Sequence, residues 1–468
     1  MIRVFRYHSS FCTVNKFMTN NNDTICAIAT APYRAAIGVI RVSGENAIAV
    51  AEKIFSKPLC RVESSKAVHG YILHEAQPVD EVLVTVFRAP GSYTGQDTVE
   101  ISCHGSMTVL RRVIALLIEN GARQAEGGEF TKRAFLNGKL DLTQAEAVID
   151  LIDSESENEA RAAASQLSGH LSLKIDSLRQ KLVEISAQIL AFIDYPDDEI
   201  ADVSPETLGG LITEVHDSLS VLKKSYGTGK MIKDGIRVVI TGKPNVGKSC
   251  LMNRILGYDR SIVTDIAGTT RDIVEEKTEF AGLKIIVSDT AGIHETFDTV
   301  EKIGVQRAEQ LISRADLILA VYDCSGPESA EDRRITDAVI SSSAKKIAVF
   351  NKTDISSGKE PVYSGFDRTV RTSAATGQGM EELEKAVKEV FDAGDGLNTA
   401  DTVTNLRQYE CICRAYEALT HALENINMTP DAVLTDVEQA IDALGSMTGK
   451  TVSEQITENI FSRFCVGK

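Results

Sequence analysis

Ile236-Arg237-Val238-Val239-Ile240-Thr241-Gly242-Lys243-Pro244-Asn245-Val246-Gly247-Lys248-Ser249-Cys250-Leu251-Met252-Asn253-Arg254-Ile255-Leu256 opens as a β-branched apolar run, breaks at glycines and resumes with helical spacing. It has the order strand, G-x-x-x-x-G-K-S phosphate loop, helix that a P-loop α/β domain requires. The glycines let backbone N–H groups converge on an anion, the Lys248 ammonium can reach β and γ phosphate oxygens, and the Ser249 hydroxyl can hold Mg²⁺. Asn245, Val246, Gly247 and Cys250 complete the expected nucleotide contacts of this loop.

The segments downstream come in the order of a nucleotide switch. Thr264, Asp265, Ile266, Ala267, Gly268, Thr269 and Thr270 form a first switch, in which Thr269 or Thr270 can close on Mg²⁺, with Thr270 taken as the ligand. The apolar strand Leu283 to Ser288 delivers Asp289-Thr290-Ala291-Gly292 beside a γ-phosphate. A further strand, Leu317 to Tyr322, belongs to the same sheet, and Ile347-Ala348-Val349-Phe350 ends in Asn351-Lys352-Thr353-Asp354. The Asp354 carboxylate can accept two hydrogen bonds from guanine N1 and N2, a pair adenine lacks, and such sites reject the unmatched base by roughly 10⁴. Ser373-Ala374-Ala375 suits a loop touching that base. Together the segments predict a Ras-like GTPase domain over residues 231–397. Ras-type proteins place a water-orienting glutamine where this chain has Ile293, so hydrolysis needs another group, and Glu295 and Glu301 lie just beyond.

On either side of this domain the texture is helical. Leu171, Ile175, Leu178, Leu182, Ile185, Ile189 and Phe192 step by four and three, the seam of an amphipathic helix that Tyr195-Pro196 stops. Leu208 to Leu222 begins a second helix, and the pattern resumes at Val403. Residues 138–230 and 398–468 therefore read as one α-helical domain split by the inserted GTPase domain. Residues 23–137 read as an α+β domain with strands around Ile37–Val42 and Val82–Val86 and a helix over Val109–Ile118, which makes the whole chain multidomain α/β.

The 468 residues leave room for several cores, and no apolar run approaches the roughly 20 residues of a membrane span. A net charge of −16 repels phosphate backbones in general, so nucleic-acid work has to use a local basic patch or a basic partner. Nine dispersed cysteines without a C-x-x-C pair give no support for zinc ribbons or thioredoxin chemistry and suit a reducing, cytoplasmic location. Residues 1–22 read as a disordered extension before an alternative start at Met18, although Arg3, Arg6 and Lys16 without an acid also suit an organelle transit peptide.

Beyond these motifs the chain resembles the tRNA-modification GTPase family MnmE (TrmE) from Asp23 to Lys468. The resemblance rests on Gly38-Val39-Ile40-Arg41-Val42-Ser43-Gly44, Ser92-Tyr93-Thr94-Gly95-Gln96-Asp97, Glu100 with His104-Gly105, Gly128-Glu129-Phe130-Thr131-Lys132-Arg133-Ala134-Phe135-Leu136-Asn137-Gly138-Lys139, and the closing Cys465-Val466-Gly467-Lys468. It implies an N-terminal folate-binding, dimerising domain, with Arg41, Glu100, Lys139 and Lys468 matching the folate contacts and 5,10-methylene- or 5-formyl-tetrahydrofolate as the one-carbon source. It implies K⁺ held by Asn245, Thr264, Ile266 and Thr269, a catalytic glutamate at Glu301 and a functional thiol at Cys465. It further implies a homodimer that forms a heterotetramer with the flavin-dependent partner MnmG (GidA), with tRNA bound mainly through that complex. The product it implies is an aminomethyl or carboxymethylaminomethyl group on C5 of the wobble uridine. Departures from the family pattern are Glu126-Gly127, where relatives tend to have Arg-Pro, and Cys250 in place of serine. The rival readings are a regulatory GTPase in ribosome assembly and a one-carbon transferase with an idle GTPase domain; the first leaves the N-terminal domain and the Cys-x-Gly-Lys ending without a purpose, and the intact switch motifs oppose the second.

Overall fold

The computed structural model describes residues 23–194, 204–257, 275–288, 312, 314–356, 363–391, 402–451, 454–462 and 464–467. These form two compact units, one from the described residues up to Ile149 with Gln166–Leu219 and Glu410 onward, the other from Asp150–Ser165 and Ser220–Tyr409.

In the first unit, strands β1 (Ile25–Ile28), β2 (Ile37–Ser43), β3 (Lys66–His74), β4 (Gln77–Phe87), β5 (Thr98–His104) and β6 (Arg123–Gln124) make a sheet of order β3-β4-β5-β2-β1-β6. All neighbours are antiparallel except β1 and β6. Alternation along β4 buries Val82, Val84 and Val86 and exposes Glu81 and Leu83, so one face of the sheet is core. Helices Ala47–Ile54 and Met107–Glu119 cover that face, and the second of them begins two residues ahead of the expected Val109. The opposite face carries Arg41 and Glu100, directly paired across β2 and β5.

The helical part of this unit is built on the seam read from the sequence. Leu171, Ile175, Leu178, Leu182, Ile185 and Ile189 are buried along the helix His170–Asp194, which packs on the helix Pro430–Thr448. Phe192, the last step of the stripe, is instead exposed, because it sits in the final turn beyond the packed stretch. The second helix is longer than its apolar pattern suggested and runs from Pro205 to Asp234, across the 230/231 division drawn from the sequence.

The second unit holds β7 (Ile236–Thr241), β8 (Glu275–Phe280), β9 (Leu283–Ser288), β10 (Leu317–Asp323), β11 (Lys345–Asn351) and β12 (Arg368–Arg371) in the order β12-β11-β10-β7-β9-β8. Every pair is parallel except β8 with β9. Six consecutive buried residues in β10 are the mark of a strand covered on both faces. The carboxyl ends of β7, β10, β11 and β12 open on one side of the sheet, where ligands of such folds bind. Among the described residues no helix is long and apolar enough to cross a membrane.

A buried guanidinium ties the start of the first unit together. Arg133, 2% exposed, donates to Asp23 Oδ1 at 2.5 Å, to the Asp23 carbonyl at 2.7 Å and to Glu129 Oε1 at 2.9 Å. Arg123 bridges the same two carboxylates at 2.7 and 2.6 Å. Burial alone would raise both acids, but the hydrogen bonds from Arg123 and Arg133 outweigh it and hold Asp23 and Glu129 below their ordinary values. A depressed folded-state pKa gives stability that is present above the unfolded value of about 4 and is lost as pH falls through the folded value. Urea midpoints measured from pH 6 down to pH 3 should therefore fall, and Asp23→Asn with Glu129→Gln should be less stable at pH 6 but flatter across the range. A double variant with the wild-type slope would remove these carboxylates from the acid response.

Candidate functional site

The phosphate loop is shaped by backbone conformations that few residues adopt. Gly242 has φ 153° with the Val321 carbonyl of β10 against its missing side chain, Asn245 has φ 66°, and Gly247, at φ 99°, abuts the Asn351 amide nitrogen. Lys248 opens the helix Lys248–Gly257 and folds back, its Nζ donating to the Gly242 and Lys243 carbonyls at 2.7 and 2.9 Å. The ammonium thus lies within the turn, while Asn245, Ser249 and Cys250 are exposed at its mouth and Val246 is buried beneath.

Asn351, at the end of β11, is 2% exposed. Its Nδ2 donates to the Val246 carbonyl at 2.7 Å, and its Oδ1 accepts from the Ala374 N–H at 2.9 Å and from Thr372 Oγ1 at 3.4 Å. Lys352 takes a left-handed backbone, φ 64°, and pairs with Asp323 at 2.6 Å. Burial raises the Asp323 pKa, but Lys352 and Ser325 outweigh this and hold it low. Thr353 Oγ1 donates to the Thr372 carbonyl at 3.0 Å, which leaves the Asp354 carboxylate exposed at the next position. Ser373 is buried, its hydroxyl accepting the Thr376 N–H at 3.3 Å, and Ala375 is exposed. The fold therefore brings Asn245 to Cys250, Asn351 to Asp354 and Ser373 to Ala375 into one neighbourhood. Thr264, Asp265, Ile266, Ala267, Gly268, Thr269, Thr270, Asp289, Thr290, Ala291, Gly292, Ile293, Glu295 and Glu301 lie outside the described residues.

One support of the loop went unread in the sequence. Lys243 pairs with the buried Asp332 at 2.8 Å, and Asp332 also forms the capping box of the helix Ala330–Ser341 with Ser329. The Ser-x-x-Asp spacing signals the cap, but nothing in it signals the lysine partner.

A second polar site lies in the first unit. Arg41 donates to Glu100 Oε1 through Nε at 2.9 Å and Nη2 at 2.8 Å, and its guanidinium lies 4.9 Å from the Tyr93 ring centre and 5.7 Å from that of Phe130. Tyr93 is pushed up by burial and its hydroxyl bonds to Thr131 Oγ1 at 2.8 Å. Lys139 is exposed, with Nζ donating to the Pro90 carbonyl at 3.1 Å, and Gly95, at φ 78°, packs on Asn137 and the Lys139 stem. The C-terminal tail comes to the same region, since the Gly128 N–H donates to the Cys465 carbonyl at 3.3 Å and Val466 bridges to Gly127. Gly467, at φ 106°, sits against the Ile28 carbonyl. Cys465 is exposed, and Lys468 lies outside the described residues. Arg41 and Glu100, read separately from the sequence, are thus partners, on the aromatic support of Phe130 from the helix Glu129–Leu136 against whose start the tail rests.

A sequence profile described as the MnmE helical domain matches residues 142–465, and one described as the GTP-binding protein TrmE N-terminus matches residues 24–139. The chain belongs to the MnmE (TrmE) family of tRNA-modification GTPases. The tRNA modification GTPase MnmE of Acetivibrio thermocellus is 42% identical over 458 residues, covering 95% of this chain and 99% of the relative. That of Clostridioides difficile is 40% identical over 458 residues, covering 96% and 99%. A variant of Aquifex aeolicus Era bound to GDP·AlF₄⁻ is 30% identical over 39% of this chain and 66% of its own, at a TM-score of 0.27. For a member of the MnmE family, the three-way contact at Asn351 yields a direct test. Asn351→Ala leaves the Val246 carbonyl and the Ala374 N–H buried without this partner, a loss of about 1–3 kcal/mol per group. Urea unfolding should show the loss and titration with GDP a weakened site; unchanged unfolding and affinity would deny the contact its role.

Proposed function

We propose that the chain is a K⁺-activated GTP hydrolase that, with the flavin-dependent partner MnmG (GidA), installs an aminomethyl or carboxymethylaminomethyl group on C5 of the wobble uridine of certain tRNAs in the cytoplasm. The observation that carries this reading is the meeting of the Cys465–Gly467 tail with the N-terminal domain at Gly127–Gly128 and Ile28, in a chain that also holds an assembled phosphate loop. A GTPase acting only as a switch has no use for such a tail.

At the nucleotide, Lys248 and the N–H groups that open its helix neutralise the phosphates, and the exposed Ser249 hydroxyl, with Thr270, suits Mg²⁺. Asp354 accepts from the guanine edge, with Ser373, Ala374 and Ala375 beside it. The left-handed, exposed Asn245 suits a share in a K⁺ site with Thr264, Ile266 and Thr269, and Glu301 orients the attacking water. In the first unit, Arg41 over Tyr93 and Phe130 offers a cation on a flat aromatic bed, and Glu100 a carboxylate acceptor, a donor set suited to the pterin and glutamate groups of a tetrahydrofolate with Lys139 and Lys468. The folate supplies the one-carbon unit when bound. Ile37, Tyr71 and Leu83 stand exposed on the sheet face opposite the helices Ala47–Ile54 and Met107–Glu119, an apolar surface suited to a second copy in a homodimer.

Glu301→Ala should lower GTP turnover at least about tenfold while leaving GTP affinity nearly intact, as for a group that acts mainly in the transition state, and wild-type turnover should be faster in K⁺ than in Na⁺. Equal rates in the two salts would remove the K⁺ site, and full turnover by Glu301→Ala would remove the water-orienting role. Cys465→Ser should retain GTP turnover but abolish wobble-uridine modification, assayed by mass spectrometry of tRNA from a deletion strain carrying the variant, because serine is far less acidic and nucleophilic than cysteine. Normal modification by this variant would leave the thiol no chemical role, and normal wobble uridines in the deletion strain itself would sink the proposed activity.

A further inference from the structure

Arg254 lies on the helix Lys248–Gly257, six residues and about 9 Å along the axis from Lys248. Its side chain leaves the helix toward the loop after β12. Nε donates to the Ala374 carbonyl at 3.0 Å and Nη2 to the Ala375 carbonyl at 2.8 Å, so that one planar guanidinium holds two successive peptides. Gly377, at φ 88°, supplies the left-handed backbone with which the loop turns beside the guanidinium, a conformation that a side chain would strain. From the other side the same loop is held by Asn351 through the Ala374 N–H. Two residues therefore fix Ala374, one at the end of the strand that leads to Asp354 and one on the helix that follows the phosphate loop.

We propose that Arg254 is a positioning residue for base selection. It locks the Ser373–Ala375 loop to the helix of the phosphate loop, so that the loop's backbone and the Asp354 carboxylate meet the base in a fixed relation to the phosphates. This rests on the base-site reading of Asp354 and the Ser373–Ala375 loop. The lock has physical content because a hydrogen-bonding site discriminates only while its donors and acceptors stay in place; a loop free to move loses matched and unmatched bases toward the same affinity. A lysine cannot replace it, as one ammonium on a flexible stem cannot reproduce the fork on two neighbouring carbonyls.

The test compares GDP with ADP, measured by titration with fluorescent analogues on the full chain. ADP reports the phosphate loop without guanine contacts. Arg254→Ala should lower the preference for GDP over ADP by at least about fivefold, short of the roughly tenfold of a fully buried charge-assisted bond because Arg254 is exposed. ADP affinity should stay as in the wild type, a result that a general loosening of the domain would not give. Arg254→Lys should fall between the two and serves in its place if the alanine variant does not fold. Asp354→Asn is the control for the underlying reading and should shift preference from GDP toward xanthosine diphosphate. If Asp354→Asn shifts the preference but the Arg254 variants keep the wild-type ratio, the positioning role is overturned alone. If Asp354→Asn shifts nothing, the base site is wrongly placed and the proposal falls with it. A parallel loss of GDP and ADP affinity in the Arg254 variants would also overturn it, in favour of plain structural support.

Discussion

Three stretches of chain far apart in sequence meet on the side chain of Asn351, and the nucleotide site depends on that meeting. The phosphate loop has no regular hydrogen bonding of its own; it is a turn whose N–H groups must stay open to an anion. Something outside it has to hold its carbonyl side, and the Asn351 amide does so at Val246 while its oxygen holds Ala374. Because the amide is buried, each of these bonds is costly to lose, since no water replaces the missing partner. The phosphate loop and the Ser373–Ala375 segment are thus fixed to one strand end.

Charge reinforces the same frame. Lys243 is held by Asp332 and Lys352 by Asp323, while Lys248 donates to the carbonyls of its own loop. A bond from an ammonium to a neutral carbonyl gives way readily to one with a phosphate oxygen, because the charged pair is the stronger interaction. The ion pairs of Lys243 and Lys352 serve geometry, and Lys248 stands in the turn where the anion would sit.

The first unit solves a different problem with similar means. The second face of its sheet is covered only in part, where Ile25 and Ala27 are buried with Phe130 against Tyr93, and an arginine on the rest of that face would be a mobile surface charge. Arg41 is instead stacked near Tyr93 and Phe130 and paired with Glu100 by strand register, which gives it one orientation. Glycines at 127, 128 and 467 then let the C-terminal tail approach closely, since a side chain at any of them would run into a backbone carbonyl.

Much of the architecture was legible in the chain because it is written in local periodicities. Alternation announces β4, steps of four and three announce the helix His170–Asp194, and a contiguous string announces the phosphate loop. Some edges were not: in β3 His69 and Gly70 interrupt the apolar residues and blur the alternation, and the helix from Pro205 to Asp234 continues past its apolar stripe. The sequence by itself determined which elements form and which short motifs carry nucleotide chemistry, since both depend on neighbours in the chain. Only the tertiary structure decided that Asn351 reaches Val246, that Lys243 reaches Asp332, that Arg41 pairs with Glu100 and that the tail at Cys465 meets Gly128. Those contacts join residues tens to hundreds of positions apart, and no local pattern encodes a partner whose distance is set by how sheets and helices pack.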